Sequence, residues 1–341
     1  MKLTIKGQVE ERQALPLPGR SPRRTHRRRA MVIVLSVLVL FVAAAGGYLV
    51  FHPRVQPLSL PALPAHLGIA DLGLANWQDY QRPFPADPLS NPNLSQSPRA
   101  NVALALLEDA AGQALIRQGQ LDRGLAYMQA AAQAEPDNLR YTNDYRLALR
   151  DHGRYTEEET FFSHQAQLFK TPNTVISLAL VYVDEMRACP KPPDGLVCQA
   201  QNSSHSISIL DDVLAQHPYN IIAHYARGLN HLYWPSLMGH LPKAQVDLQY
   251  AVALTQPLES ISRAFTPQAY AALGDVFAKD GQIDTARNVW LNGETVAPGA
   301  SILDSRLGIP QDQLVNEENN SLRGLGVYVD TDLTIFWKSG R

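Results

Sequence analysis

The chain has 341 residues, 45% of them hydrophobic and 18% charged, with a formal net charge of -2. That is enough apolar chain for a sizeable core, and the near-neutral balance argues against a nucleic-acid surface, so neither DNA nor RNA is expected as a partner. Two cysteines exclude a four-cysteine zinc site and a disulfide-dense scaffold.

Charge is spread unevenly. Lys2, Lys6, Arg12, Arg20, Arg23, Arg24, Arg27, Arg28 and Arg29 all precede residue 31, and the polar, proline-punctuated stretch 1–30 reads as a disordered cytoplasmic tail. The next 21 residues, Met31–Phe51, carry no charge. At about 1.5 Å per residue they can cross a hydrocarbon core of about 30 Å as a transmembrane helix. Arg54 is the one Lys or Arg within the next thirty residues, so the positive-inside rule places the N-terminus in the cytoplasm and the rest in the periplasm or its equivalent. Small residues at Val42–Gly46 leave open a second reading, in which a signal peptide is cleaved near Ala45 and the remainder is secreted. The long basic leader and the apolar continuation Tyr48–Phe51 favour a retained single-pass anchor.

Residues 52–99 form a proline-rich linker or cap. Prolines at 53, 57, 61, 64, 83, 85, 88, 92 and 98 exclude a long helix or a central strand. Leu67, Ile69, Leu72, Leu74, Trp77, Tyr80 and Phe84 are too apolar for a plain linker. The segment is expected to pack on the first helix pair, with a docking strip for a partner as the alternative.

From Ala100 onward the chain reads as helix pairs. The first unit, Ala100–Pro136, has Gly112 and Leu115 before a turn at Gly119, then Gly124, Met128 and Pro136. Gly153 repeats Gly119 at an interval of 34 residues, between Tyr145 and Leu149 on one side and Phe162 on the other. Arg146 and Glu158 stand there where small residues would allow close helix approach. The third unit carries Leu178, Ala179 and Tyr182, then Leu210, Val213 and Pro218, with an insertion Cys189–Asn202 between its helices. The fourth carries Gly228 and Leu232, a lengthened turn Trp234–Gly239, then Ala244, Leu248, Ala251 and Pro257. The two lengthened turns fall on one side of the array, where they mark a candidate binding edge.

The fifth unit, Thr266–Pro298, is the most regular. Tyr270, Leu273, Gly274 and Phe277 fall at i, i+3, i+4 and i+7 and share one helical face. Gly281 closes that helix, and Ala286, Trp290, Gly293 and Pro298 belong to the next. Trp290 is expected to fill the space between this pair and its neighbour. This pattern resembles the tetratricopeptide repeat (TPR). The resemblance implies an all-α, TPR-like α-solenoid of about five helix pairs over residues 100–298, because one pair cannot bury both its faces. It also implies that the first helices line a concave groove, which by position holds Gln113, Arg117, Asn143, Arg150, Asp275 and Lys279. A non-enzymatic scaffold or assembly factor for protein partners of a membrane or envelope, without cofactors, is the expected function.

Residues 299–341 depart from the repeat. Ser301–Leu307 is expected to cap the last pair and Asn316–Asn320 to form a polar loop. Val327–Val329 and Leu333–Trp337 flank the turn-like Asp330–Asp332, which predicts a short β-hairpin.

Chemistry-bearing residues are few. Cys189 and Cys198 lack haem-attachment or zinc spacing, and in an oxidising compartment they are expected to pair. His217, His224 and His231 recur every seven residues, with His240 beyond. The spacing is too wide for two of them to share a metal, so core or groove histidines are expected, and a redox or metal-linked role with the cysteines is the alternative. Nucleophile-elbow, zinc-protease and phosphate-loop motifs are absent. Asp211-Asp212 and Glu157-Glu158-Glu159 read as solvated helix faces. A site around Asp330 and Asp332 is the remaining enzymatic reading, with no base or nucleophile beside it.

Overall fold

The computed structural model describes residues 55–258, 264–322, 324 and 327–337. The basic tail 1–30 and the apolar run 31–51 lie outside them. Among the described residues no helix is long and apolar enough to cross a membrane.

The described residues form thirteen α-helices joined by turns and short 3-10 segments. A one-turn helix α1 (Trp77–Tyr80) precedes five consecutive helix pairs. These are α2 (Ala105–Arg117) with α3 (Leu121–Ala134), α4 (Leu139–Asp151) with α5 (Tyr155–Phe169), and α6 (Pro172–Glu185) with α7 (Leu196–Gln216). The last two pairs are α8 (Ile221–Tyr233) with α9 (Leu241–Ala253), and α10 (Phe265–Lys279) with α11 (Ile283–Val296). Two more helices follow, α12 (Ser301–Leu307) and α13 (Gln311–Ser321). The array is thus a TPR-like helical repeat.

Local chemistry sets the helix ends. Thr171 and Thr174 form a reciprocal capping box at the start of α6, with Pro172 at the first helical position. Asn138 and Asn220 cap α4 and α8 with their side-chain oxygens. Gly119 and Gly281 turn the chain at φ +79° and +80°, a backbone region that favours glycine.

Inside the pairs, small residues let the helices touch. A Cβ on Gly112 would stand 2.4 Å from Met128 Cγ and 2.7 Å from the Gly124 carbonyl. A Cβ on Gly274 would stand 2.0 Å from Trp290 Nε1. Trp290 therefore fills space inside its own pair, over Gly274, rather than the gap to the neighbouring pair. Its indole N–H donates to the Ala271 carbonyl at 3.1 Å. A continuous core runs from Ile176 and Leu180 through Ile221, Leu248 and Phe265 to Trp290 and Leu303.

Four further expectations are corrected. The proline-rich segment does not stop at the first pair but runs against the chain order along the whole array. Gln56 pairs with Asn288 and Asn292 of α11, Ser59 with Gln249 of α9, and Leu72 with Ile221 of α8. It then meets Arg140 of α4 through the carbonyls of Tyr80 and Arg82, and Tyr127 of α3 through that of Ser95. Its apolar side chains are spread along the segment, and successive helix pairs offer them successive places to bury.

Secondly, the Cys189–Asn202 insertion is partly helical: α7 begins at Leu196, inside it. Thirdly, Asn316–Asn320 lies within α13 rather than a loop, because Leu314 and Glu318, four residues apart, both face inward and are buried. Fourthly, the expected hairpin does not form: no residue among those described is in a strand, and Leu333–Phe336 makes a 3-10 turn. Val329, Thr331 and Asp332 bond to side chains of the array instead of to a second strand.

Candidate functional site

The first helices α2, α4, α6, α8 and α10 form one row, and the chain's own C-terminal segment 327–337 lies against four of them. Its anchor is Thr331. The Thr331 hydroxyl donates to Asp184 Oδ1 at 2.6 Å and accepts from Arg146 Nη1 and Arg150 Nη1, each at 3.0 Å. Arg146 Nη2 donates to the Thr331 carbonyl at 2.5 Å. Asn143 works as a clamp: its amide N–H donates to Asp332 Oδ1 at 3.2 Å while its oxygen accepts from Leu333 N at 3.1 Å. Arg187 holds the Val329 carbonyl at 3.3 Å. Phe336 stacks on Phe265 with centroids 4.1 Å apart and meets Tyr225 edge-on, and Trp337 packs against Tyr80.

Beneath Thr331 lies a buried ionic cluster. Arg146, 1% exposed, pairs with the fully buried Asp184, and Arg150 approaches the same carboxylate at 3.7 Å. Glu158 is also fully buried, which corrects its reading as a solvated face, while Glu159, Asp211 and Asp212 are exposed. Burial first, then the charge of Asp184, push the Glu158 carboxyl up to about 9. It is therefore neutral at pH 7 and leaves Arg146 to balance Asp184. The two large residues that break the small-residue pattern of the second unit, Arg146 and Glu158, are thus both built into this cluster.

A second buried cluster closes the other end. Arg306 of α12 forks onto Asp275 at 2.9 and 3.0 Å and reaches Glu318 of α13 at 3.4 Å. Burial, then Asp275, push Glu318 up to about 8. Lys279 is buried and donates to the carbonyls of Leu232, Trp234 and Leu322 at 2.6, 2.9 and 2.6 Å. Burial pulls its ammonium down to about 8.

The six groove residues drawn from the resemblance therefore have different fates. Asn143 and Arg150 touch segment 327–337. Asp275 and Lys279 hold α12 and α13 and the approach to that segment. Gln113 donates to Asp144 Oδ2 at 2.9 Å, beside the buried Asp109 whose carboxyl is raised by burial and by Asp144. Arg117 is exposed at the end of α2. The repeat pattern does not mark Asp184, Arg146, Arg187 and Thr331 as groove residues; Arg146 alone carries a signal, as a large cation where the pattern expects a small residue.

The two lengthened turns also meet. With Val327 and Val329 they enclose a cavity of about 300 Å³ lined by Met186, Gln199, Ala200, Tyr233 and Pro235. Its polar pole is Ser203, which donates to Asn230 Oδ1 and accepts from the Trp234 indole, both at 2.6 Å. Leu196 and Met238 on its rim are exposed, as are the adjacent Val197 and Leu237. Cys189 and Cys198 form a disulfide with Cα atoms 5.9 Å apart, tying the end of the third unit's first helix to α7.

His224, His231 and His240 are held by side-chain contacts in the fold. His224 is buried between Asp247 and the Pro218 carbonyl, each at 2.9 Å. His231 meets His240 through their Nδ1 atoms at 2.8 Å, and burial pushes His231 down to about 4. His217 is exposed. Among the described residues no three His, Cys, Asp or Glu side chains are grouped to hold a metal. Asp330 accepts from Asp332 N, and Asp332 caps the 3-10 turn by accepting from Thr334 N and Oγ1.

No protein-family model and no curated protein matches the chain. Among solved structures it is similar to a thermophilic TPR protein of Thermus thermophilus, at 20% identity and a TM-score of 0.44, over 60% of this chain and 96% of that one.

Proposed function

We propose that the protein is a non-enzymatic scaffold or assembly factor, anchored by residues 31–51 with the helical array on the exported side of the membrane, where it binds protein partners of the envelope. The carrying observation is that the row of first helices holds a strand-free segment ending in a 3-10 turn through an amide clamp, arginines aimed at main-chain carbonyls and an aromatic seat. Those are the contacts by which a repeat array reads a peptide. The uncharged 21-residue run and the basic leader before it support the topology, and the disulfide suits an oxidising compartment.

Two experiments test this. Fusions of a periplasmically active reporter to the C-terminus should be active, and the protein should stay in the membrane after alkaline washing; activity only in the cytoplasm, or release by the wash, would remove the topology. Affinity capture from native membranes should recover a specific partner that is lost on Arg117→Glu or Leu237→Asp, both exposed substitutions. Recovery of nothing above a tag-only control would remove the scaffold reading.

A further inference from the structure

The row of first helices is not vacant. We propose that segment 327–337 is a displaceable occupant of this face, and that the partner seated there presents a segment of the same chemistry: a hydroxyl residue, then a carboxylate residue, then an aliphatic one, with an aromatic three positions further on. This rests on the scaffold reading and specifies its binding site and its regulation.

The contacts divide into those any chain could make and those that select. Arg187 to the Val329 carbonyl, Arg146 to the Thr331 carbonyl and Asn143 to Leu333 N read main chain alone. Selection falls on three side chains. The site around Thr331 supplies a carboxylate acceptor, Asp184, and two guanidinium donors, so it needs a group that donates and accepts at once; a hydroxyl does both, and an aliphatic side chain would leave buried charged atoms unpaired. Asp332 takes the Asn143 amide and caps the turn that swings Phe336 toward Phe265. Phe336 fills the aromatic seat between Phe265 and Tyr225.

Release would uncover Val329, Thr331, Leu333, Phe336 and Trp337, all buried, so exchange requires an incoming segment that covers the same face. Within 327–332 the segment takes no part in helix or strand, so its release breaks no backbone ladder. Lys279, gripping the Leu322 carbonyl, fixes the point from which it departs and keeps it close to its site. A tethered occupant competes at a high effective concentration, so a free partner segment must bind more tightly or arrive in multiple copies to displace it.

The test inserts a specific protease site after Gly326 in the full-length protein, which is folded and then cut. The tail fragment should remain bound and exchange with fluorescein-labelled peptide 327–341, without loss of the helical circular-dichroism signal. Peptides carrying Thr331→Val, Asp332→Ala or Phe336→Ala should compete at least tenfold more weakly, and the labelled peptide should bind uncut protein at least tenfold more weakly than cut. Release of the fragment only where the helices unfold, or equal competition by the variants, overturns the proposal. As a check on the unaltered chain, amides 328–334 should exchange hydrogen at least a hundredfold faster than the central amides of α4 and α8; equal protection would mark the segment as core. If exchange fails while membrane capture still yields a partner, the scaffold reading stands and only this inference falls.

Discussion

Replacing Arg146 by methionine isolates the contribution of the buried cluster. The guanidinium gives hydrogen bonds to Asp184, to Thr331 Oγ1, to the Thr331 carbonyl and to Asn143 Oδ1. Methionine fills most of the volume, so little cavity cost is added. Asp184, fully buried, is left with the Thr331 hydroxyl at 2.6 Å and Arg150 at 3.7 Å, a weaker counter-charge. Breaking a buried pair costs about 3–5 kcal/mol, and the remaining Arg150 puts the expected loss near the lower end, at about 3 kcal/mol. Guanidinium unfolding of the full-length protein followed by circular dichroism measures it. The double variant Arg146→Met with Asp184→Leu should recover at least half of the summed single losses, since it removes both charges together. A single loss below about 1 kcal/mol, the scale of an exposed pair, or strict additivity in the cycle would refute the reasoning.

Three further outcomes are expected. Glu158 and Glu318 have folded pKa values of about 9 and about 8 against an ordinary 4.5, so the native state holds their protons more tightly. Their stabilisation is complete below pH 4.5 and is lost as pH rises toward those values, at no more than about 1.4 kcal/mol per pH unit for each group. Glu158→Gln should therefore flatten the fall in stability between pH 5 and 9, as read by denaturant midpoints; an unchanged slope contradicts it. Gly274→Ala forces a Cβ against the Trp290 indole and should cost about 1–3 kcal/mol, with a tryptophan emission shift; an unchanged melting temperature and spectrum would sink the packing argument. Cys189→Ser should lower stability by about 2–3 kcal/mol, and a reductant should produce the same loss in the wild type and none in the variant.

The fold was legible where repeat chemistry is strict. Gly112 and Gly274 announced close helix approach, and Gly119, Gly153 and Gly281 announced turns, because each position has few alternatives to glycine. The segments that pack on the array were less so. Residues 55–98 bury single apolar side chains at irregular intervals between the fifth pair and the first, so no period marks their path. Residues 327–337 have the β-branched and aromatic composition of a strand but obtain their hydrogen bonds from Asn143, Arg146 and Arg187, side chains 142 to 190 positions away in the chain. Local propensity cannot express such partners. Polar residues in α13 resemble a loop in sequence for a related reason: Glu318 is buried where Arg306, distant in register, comes to meet it. The candidate site was half visible, since Asn143 and Arg150 followed from repeat position, whereas Asp184 and Thr331 acquire their meaning only from each other.

The most direct measurement is a photo-cross-link from the tail of the intact chain. A small diazirine amino acid is placed at Ile335 in full-length protein and irradiated under native conditions. Cross-links within one molecule to α4, α8 or α10 are the result the account predicts. Links confined to the second helices α3, α5 and α9, or formed only between molecules, would contradict it.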